Sequence, residues 1–297
     1  MTAIDFKALG AKAAAEGANQ TVAKSGGGGD YEPPAAGPGL ARLVGYVEIG
    51  KQKGTFKGAP AVKEKVMLIF ELTGKRHAVA DDQQPHRVTI TESYSLNEKA
   101  NFFKLFQRMN YRQDAEHMVQ LLGEGYRVEV FHDKWVGKDG KERIDVTFKG
   151  PGGYTIAPPR KEDEDSETGW VDVAVPPARS QLRCFLWEQA DLQQWGSLFI
   201  EGEYPERKND KGEVIAPAKS KNVLQHKVMS AVNFEGSPIH TLLLADGAKL
   251  DLPAVGEEDE RGEEENVTHA AGQSVAASAP TAPAGVSPSN DALGGIV

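Results

Sequence analysis

Apolar positions between residues 40 and 148 repeat with two periods. Leu40-Ala-Arg-Leu-Val-Gly-Tyr-Val-Glu-Ile49, Lys65-Val-Met-Leu-Ile-Phe-Glu-Leu72 and Arg87-Val-Thr-Ile-Thr-Glu-Ser-Tyr94 alternate or run apolar over short lengths. They are rich in β-branched and aromatic residues and read as three strands. The stretch Gly50 to Pro60 reads as a basic, glycine-rich turn, and Thr73 to Pro85 as a polar connection. The period then lengthens. Ser95-Leu96-Asn97-Glu98 fits a capping box, and Ala100, Phe103, Phe106 and Met109 follow at helical spacing. That spacing assigns Phe103 and Phe106 to the core rather than to a base-stacking platform with Phe102. Asp114 to Leu122 reads as a second short helix ending at Gly123. Tyr126-Arg-Val-Glu-Val-Phe131 and Arg143-Ile-Asp-Val-Thr-Phe148 are two further strands about an Asp139-Gly140 turn.

The predicted order is β-β-β-α-β-β. It makes the chain mainly β with α, an OB-fold-like five-stranded barrel whose helix lies between the third and fourth strands. Residues 31–160 form that core. An acidic, proline-containing linker covers 161–179. A helical extension covers 180–253, packed on or beside the core, with one helix capped by Ser180 and running through Leu182, Phe185, Leu186 and Trp195. A second is capped by Ser220 and runs through Val223, Leu224, Lys227 and Val228, with Tyr204 to Lys221 a polar loop between them. Residues 1–30 read as a flexible arm ending in four glycines, and 254–297 as a disordered tail, acidic and then rich in Ala, Ser and Pro.

Charge changes the picture. The net charge of -9 is unevenly placed. Residues 40–160 carry 20 Lys/Arg against 15 Asp/Glu, whereas residues 241–297 carry 2 against 10. A mildly basic body with an acidic tail suits a nucleic-acid ligand or an interaction tail; a merely solubilising end is the plainer alternative. Composition excludes other classes. No run of 18 apolar residues predicts a transmembrane helix, the first residues lack a signal peptide's apolar stretch, and the single cysteine, Cys184, forms no internal disulfide. A reducing, cytoplasmic setting is expected.

Catalytic chemistry finds no footing. Gly45-Tyr-Val-Glu-Ile-Gly50-Lys51-Gln52 resembles a phosphate-binding loop, but Gln52 lacks the hydroxyl that holds magnesium, and the intervening residues read as strand. The seven histidines are scattered, and His117 is a helix-face residue rather than a ligand. Asp81-Asp82 and Glu162 to Asp165 are solvated charge runs, and Cys184 reads as an inert thiol in an apolar run. No enzyme, cofactor or metal is expected.

Binding chemistry does find one. Single-strand binding needs cations along phosphates and aromatic planes under bases, and OB folds supply both from the face of the second and third strands and from the loops joining strands one to two and four to five. The first loop holds Lys51, Lys53 and Lys57 around Phe56; the second holds Lys134, Lys138, Lys141 and Arg143 around Trp135. Tyr46, Arg87 and Tyr94 are strand candidates for the same groove. The alternatives are that Phe56 folds into the core and that Trp135 closes a barrel end. The mobile acidic segment has two candidate roles, competing for the basic groove or docking on basic partner proteins.

Tyr31-Glu-Pro-Pro-Ala-Ala-Gly37, Ala41-Arg-Leu-Val-Gly-Tyr-Val-Glu-Ile-Gly50 and Ser95-Leu-Asn-Glu-Lys-Ala-Asn101 resemble a family of bacteriophage single-stranded DNA-binding proteins, over roughly 31–240. The resemblance implies an OB-fold that coats single-stranded DNA during phage replication, recombination or repair in the cytoplasm of the bacterial host. It also implies an acidic tail that recruits phage or host replication and recombination proteins; here that is Glu257, Glu258, Asp259, Glu260, Glu263, Glu264 and Glu265. The acidic run lies well before the apolar C-terminal tip Leu293-Gly-Gly-Ile-Val297. Competing readings are a phage virion or assembly protein using the barrel as an interaction module, an annealing or recombination mediator, and a metal-dependent nuclease. An oligomer is compatible with each of them.

Overall fold

The two-sided apolar run at residues 41–49 folds as one long strand that serves two cores. The computed structural model describes residues 33–247 apart from 57, 82, 138, 139, 141, 209–211 and 213. The predicted arm, 1–30, and the predicted tail, 254–297, lie outside the described residues. Strands β1 (Gly37–Phe56), β2 (Ala59–Thr73), β3 (Arg87–Ser93), β4 (Gly125–Val136) and β5 (Glu142–Thr147) form one antiparallel sheet in the order β3-β2-β1-β4-β5.

The sheet is open, where the sequence suggests a closed barrel. Edge strands β3 and β5 approach within 8 Å, Cα to Cα, without forming a ladder among the described residues. Four two- or three-residue strands follow, β6 (Lys149–Gly150), β7 (Gly153–Tyr154), β8 (Arg160–Glu162) and β9 (Trp170–Asp172), the last two pairing across the start of the expected linker.

One face of the sheet holds Ala41, Leu43 and Tyr46 of β1, Val66, Leu68, Phe70 and Leu72 of β2, Val88 and Ile90 of β3, and Tyr126, Val128 and Val130 of β4. Helix α1 (Asn101–Met109) covers this face through Phe102, Leu105 and Met109. The buried set is therefore shifted from the predicted one: Phe106 packs at the margin and Phe103 is half-buried. The capping box does not form. Ser95 Oγ accepts from the Asn97 amide at 3.3 Å, and Asn97 Oδ1 accepts from the Lys99 amide at 2.9 Å. These local turns use up the polar side chains, and the helix starts at Asn101 behind Ala100. The predicted helix at 114–122 contracts to a 3-10 turn, Met118–Leu121, capped by His117 and Gln120.

The other face of β1 and β2 is also buried. Val44, Val47, Ile49 and Ile69 meet Phe185, Trp187 and Leu198, together with apolar residues from 224–243. Bulges between Leu43 and Gly45 and between Glu48 and Lys51 shift the parity of β1, so that Leu43 and Tyr46 point one way, Val44 and Val47 the other. Residues 183–185, expected in a helix, are instead strand β10 (Arg183–Phe185), pairing parallel with Gly45–Val47 of β1. Helices α2 (Leu192–Leu198), α3 (Val223–Met229) and α4 (Pro238–Ala245) complete this layer. Asp191 caps α2, in place of the predicted Ser180, and its interaction with Gln194 holds its carboxyl below the usual range. Ser220 is not the cap of α3: Asn222 holds that position, and Ser220 Oγ accepts from its amide at 3.1 Å. The expected loop Tyr204–Lys221 contains four short strands, β11 (Glu203–Tyr204), β12 (Arg207–Lys208), β13 (Val214–Ala216) and β14 (Lys219–Ser220). Among the described residues no helix is long and apolar enough to cross a membrane.

Candidate nucleic-acid interface

The predicted turn at 50–60 is strand almost to its tip. Beyond the sheet, β1 and β2 continue as a two-stranded arm in which Gln52 faces Lys63, Lys53 faces Val62 and Phe56 faces Ala59. Lys51, Lys53 and Phe56 are therefore strand residues, not loop residues; Lys57 lies outside the described set. Backbone pairing outweighs the glycines and lysines that suggested a loop.

The foot of the arm is fixed to the C-terminal layer. The Lys51 amide donates to Asn233 Oδ1 at 2.7 Å, and the Lys51 carbonyl accepts from Val232 at 2.8 Å. The Gln52 amide is buried and donates to the carbonyls of Ile49 and Lys227, at 2.7 and 3.1 Å. At the other end Phe56 is 38% exposed, with Lys63 Nζ 4.1 Å from its ring centroid.

Strand alternation puts Lys63 and Lys65 on the same face as Gln52 and Phe56. Lys65 is buried and pairs with Ser93 at the end of β3. The same face of β3 continues through Thr91 and Thr89 to Arg87, whose Nε donates to Ser180 Oγ at 3.0 Å. Arg183 lies close enough to Arg87 for the like charge, added to burial, to push its guanidinium below the ordinary range. It donates to the carbonyls of Ser197 and Phe199, and Phe199 is 53% exposed. The result is an aromatic–cation pair on the arm, a row of hydroxyls along β3, and paired arginines at the far end. Lys63, Lys65 and Arg183 were not among the sequence candidates. The pattern Ala61-Val-Lys-Glu-Lys65 carries the signal for the two lysines, since alternate positions share a face.

The second predicted loop is also mostly strand. Lys134 and Trp135 belong to β4, and Arg143 to β5. Trp135 pairs with Arg143 across the ladder, and the guanidinium carbon lies 5.2 Å from the indole. The indole is half-buried, and among the described residues its Nε1 has no hydrogen-bond partner. Lys134 projects to the opposite face, paired with Ile144, so the tryptophan and this lysine do not share a surface. Lys138 and Lys141 lie outside the described residues, as do the tail residues Glu257 to Glu265.

Two strand candidates are placed inward. Tyr46 is fully buried, its ring edge-on to His117 at 5.4 Å and its hydroxyl donating to Glu48 Oε1 at 3.0 Å. Burial beside that carboxylate drives its hydroxyl pKa far up. It belongs to the core, because the bulge after Leu43 turns it inward. Tyr94 is half-buried against Phe102, ring centroids 5.1 Å apart, and burial with Glu48 and Glu64 nearby raises its pKa. Cys184 is half-buried in β10, where burial and then Glu48 and Asp191 push its thiol up. The stretch resembling a phosphate loop lies along β1. Among the described residues no three His, Cys, Asp or Glu side chains converge to hold a metal ion.

No family model, curated protein or solved structure matches the chain.

Proposed function

We propose that the protein binds and coats single-stranded DNA without catalysing a reaction, on an OB-type fold, during bacteriophage DNA replication, recombination or repair in the host cytoplasm. The observation that carries this reading is that two β-hairpins of one sheet each present an aromatic ring with a cation at its face, Phe56 with Lys63 and Trp135 with Arg143. An aromatic plane accepts a base irrespective of sequence, and the adjoining cation neutralises the phosphate that comes with it. The hydroxyls of Thr89, Thr91 and Ser93, with Arg87 beyond them, supply a polar track of the kind a sugar-phosphate backbone follows.

Support for the OB reading is topological: strand order β3-β2-β1-β4-β5, a helix between the third and fourth strands, and edges that approach one another. The resemblance of residues 31–240 supplies the phage setting. The acidic run from Glu257 is the proposed docking segment for replication proteins.

Fluorescence anisotropy with a labelled dT oligonucleotide of about 30 bases, against a duplex of equal length, tests the reading. Preferential binding of the single strand is expected, weakened by Phe56→Ala or Trp135→Ala by about 1–3 kcal/mol each. Equal affinity for duplex, or no binding at low salt by the full chain and by a chain ending at residue 253, would overturn it.

A further inference from the structure

One row of residues crosses the sheet from β3 to β10. Thr89 of β3 faces Ile69 of β2, Ile69 faces Gly45 of β1, and Gly45 faces Arg183 of β10. These positions lie on the face that carries the C-terminal layer, because Ile69 and Phe185 belong to its core and residues 183 and 185 share a side of β10. Strand β10 therefore places a cation of the C-terminal part of the chain on the side where β3 displays Arg87 and Thr89, both exposed.

Two tethers bring Arg87 beside it. Ser180, three residues before Arg183, is held over β2 by its amide, which donates to Glu71 Oε2 at 2.7 Å. Arg87 faces Glu71 across the ladder, and its Nε donates to Ser180 Oγ at 3.0 Å. Three residues span at most about 11 Å, so the two arginines belong to one patch. Among the described residues neither pairs with a carboxylate. Arg87 has Ser180 and Gln84, and Arg183 has the carbonyls of Ser197 and Phe199. The oxygens of Glu71 are taken by the amides of Arg179 and Ser180.

Like charges held together, one of them half-buried, cost free energy that an anion offsets. Arginine suits phosphate in particular, since its fork of N–H donors matches the phosphate oxygens. An aromatic residue completes the patch. The carbonyl that accepts from Arg183 at 3.2 Å is that of Phe199, directly after α2, and Phe199 is 53% exposed. Cation and ring are thus one residue's length apart. The arm of β1 and β2 carries the same combination, Phe56 with Lys63.

We propose that the C-terminal layer forms the far end of the single-strand track: a phosphate seats between Arg87 and Arg183, and the adjoining base stacks on Phe199. The assignment rests on the single-strand reading above. It carries the track from the arm, along the hydroxyls of β3, to a part of the chain outside the five main strands.

The test measures anisotropy of a labelled dT oligonucleotide of about 30 bases with the full chain, each variant first shown to be folded by circular dichroism. Phe199→Ala should weaken binding about tenfold, and Phe199→Tyr should match wild type, since either ring stacks. The double variant Arg87→Gln, Arg183→Gln should reduce the slope of log affinity against log salt by about 0.7, the loss of one phosphate contact. Arg87→Gln alone, which leaves the carbonyl bonds of Arg183 in place, should move the slope in the same direction. A purely structural role for the arginines would not move it. Affinity unchanged by Phe199→Ala, or a slope unchanged by both arginine variants, would overturn this end of the track. Weakened binding by Phe56→Ala in the same series would then leave the single-strand reading standing. Failure of wild type to bind at low salt would overturn that reading, and this site with it.

Discussion

Glu71 is 1% exposed, and both of its carboxylate oxygens are used. They accept from the amides of Arg179 and Ser180, each at 2.7 Å, and so fasten the incoming C-terminal layer to β2. Glu48 does similar work one strand away, joining the Tyr46 hydroxyl to the Trp187 amide. Gly50 makes the same junction possible by having no side chain. A Cβ there would lie 2.4 Å from Trp187 ring atoms and 2.9 Å from Ala231 Cβ, at a φ of +67°. Gly50→Ala should therefore lower the unfolding free energy by about 2–4 kcal/mol, combining overpacking with an unfavourable backbone, and urea denaturation measures it. At this scale residue type indicates the surroundings of some candidates and misplaces others. Phe56 and Trp135 stood out as aromatic residues among cations, and each has a cation at its ring. Tyr46 looked similar but is buried, because a bulge reverses the side to which it points, and bulges leave no mark in a hydrophobic pattern.

The elements differ from their sequence outlines mainly in length. The five main strands and α1 occur in the expected order, and their apolar centres fall where alternation puts them. Strands β1, β2 and β4 run past those centres into segments rich in Gly, Lys and Asp, where inter-strand hydrogen bonding rather than apolar content sustains the strand. β10 was misread because a short apolar run fits a strand or a buried helix equally, and its partner, β1, is some 140 positions distant. Helix α4 went unseen even though Ser237 and Pro238 begin it in a standard way. The arm of β1 and β2 beyond Lys53 and Val62 buries little. Replacing residues 54–61 with an Asn-Gly turn should leave the melting temperature within a few degrees. It should also reduce affinity for a dT oligonucleotide by about tenfold, through loss of Phe56 and its stacking contribution. Unchanged affinity in a folded variant would remove the arm from the interface.

In the whole molecule, β1 is the shared wall of two cores. Residues 178–245 therefore cannot be an appendage: they cover Val44, Val47, Ile49 and Ile69, and they leave β3 and the two hairpins as the accessible part of the sheet's outer side. The proposed single-strand track lies along those accessible parts. The uneven distribution of charge bears on the same point, with the excess of cations in residues 40–160 and the excess of carboxylates after 241. The most direct test is a salt titration of binding to a dT oligonucleotide of about 30 bases, followed by anisotropy and by tryptophan fluorescence. The account predicts that the logarithm of the association constant falls linearly with the logarithm of salt concentration. The slope should be about -0.7 for each phosphate neutralised, with several phosphates contributing, and binding should quench the tryptophans. A salt-independent signal, or no binding at the lowest salt, would contradict it.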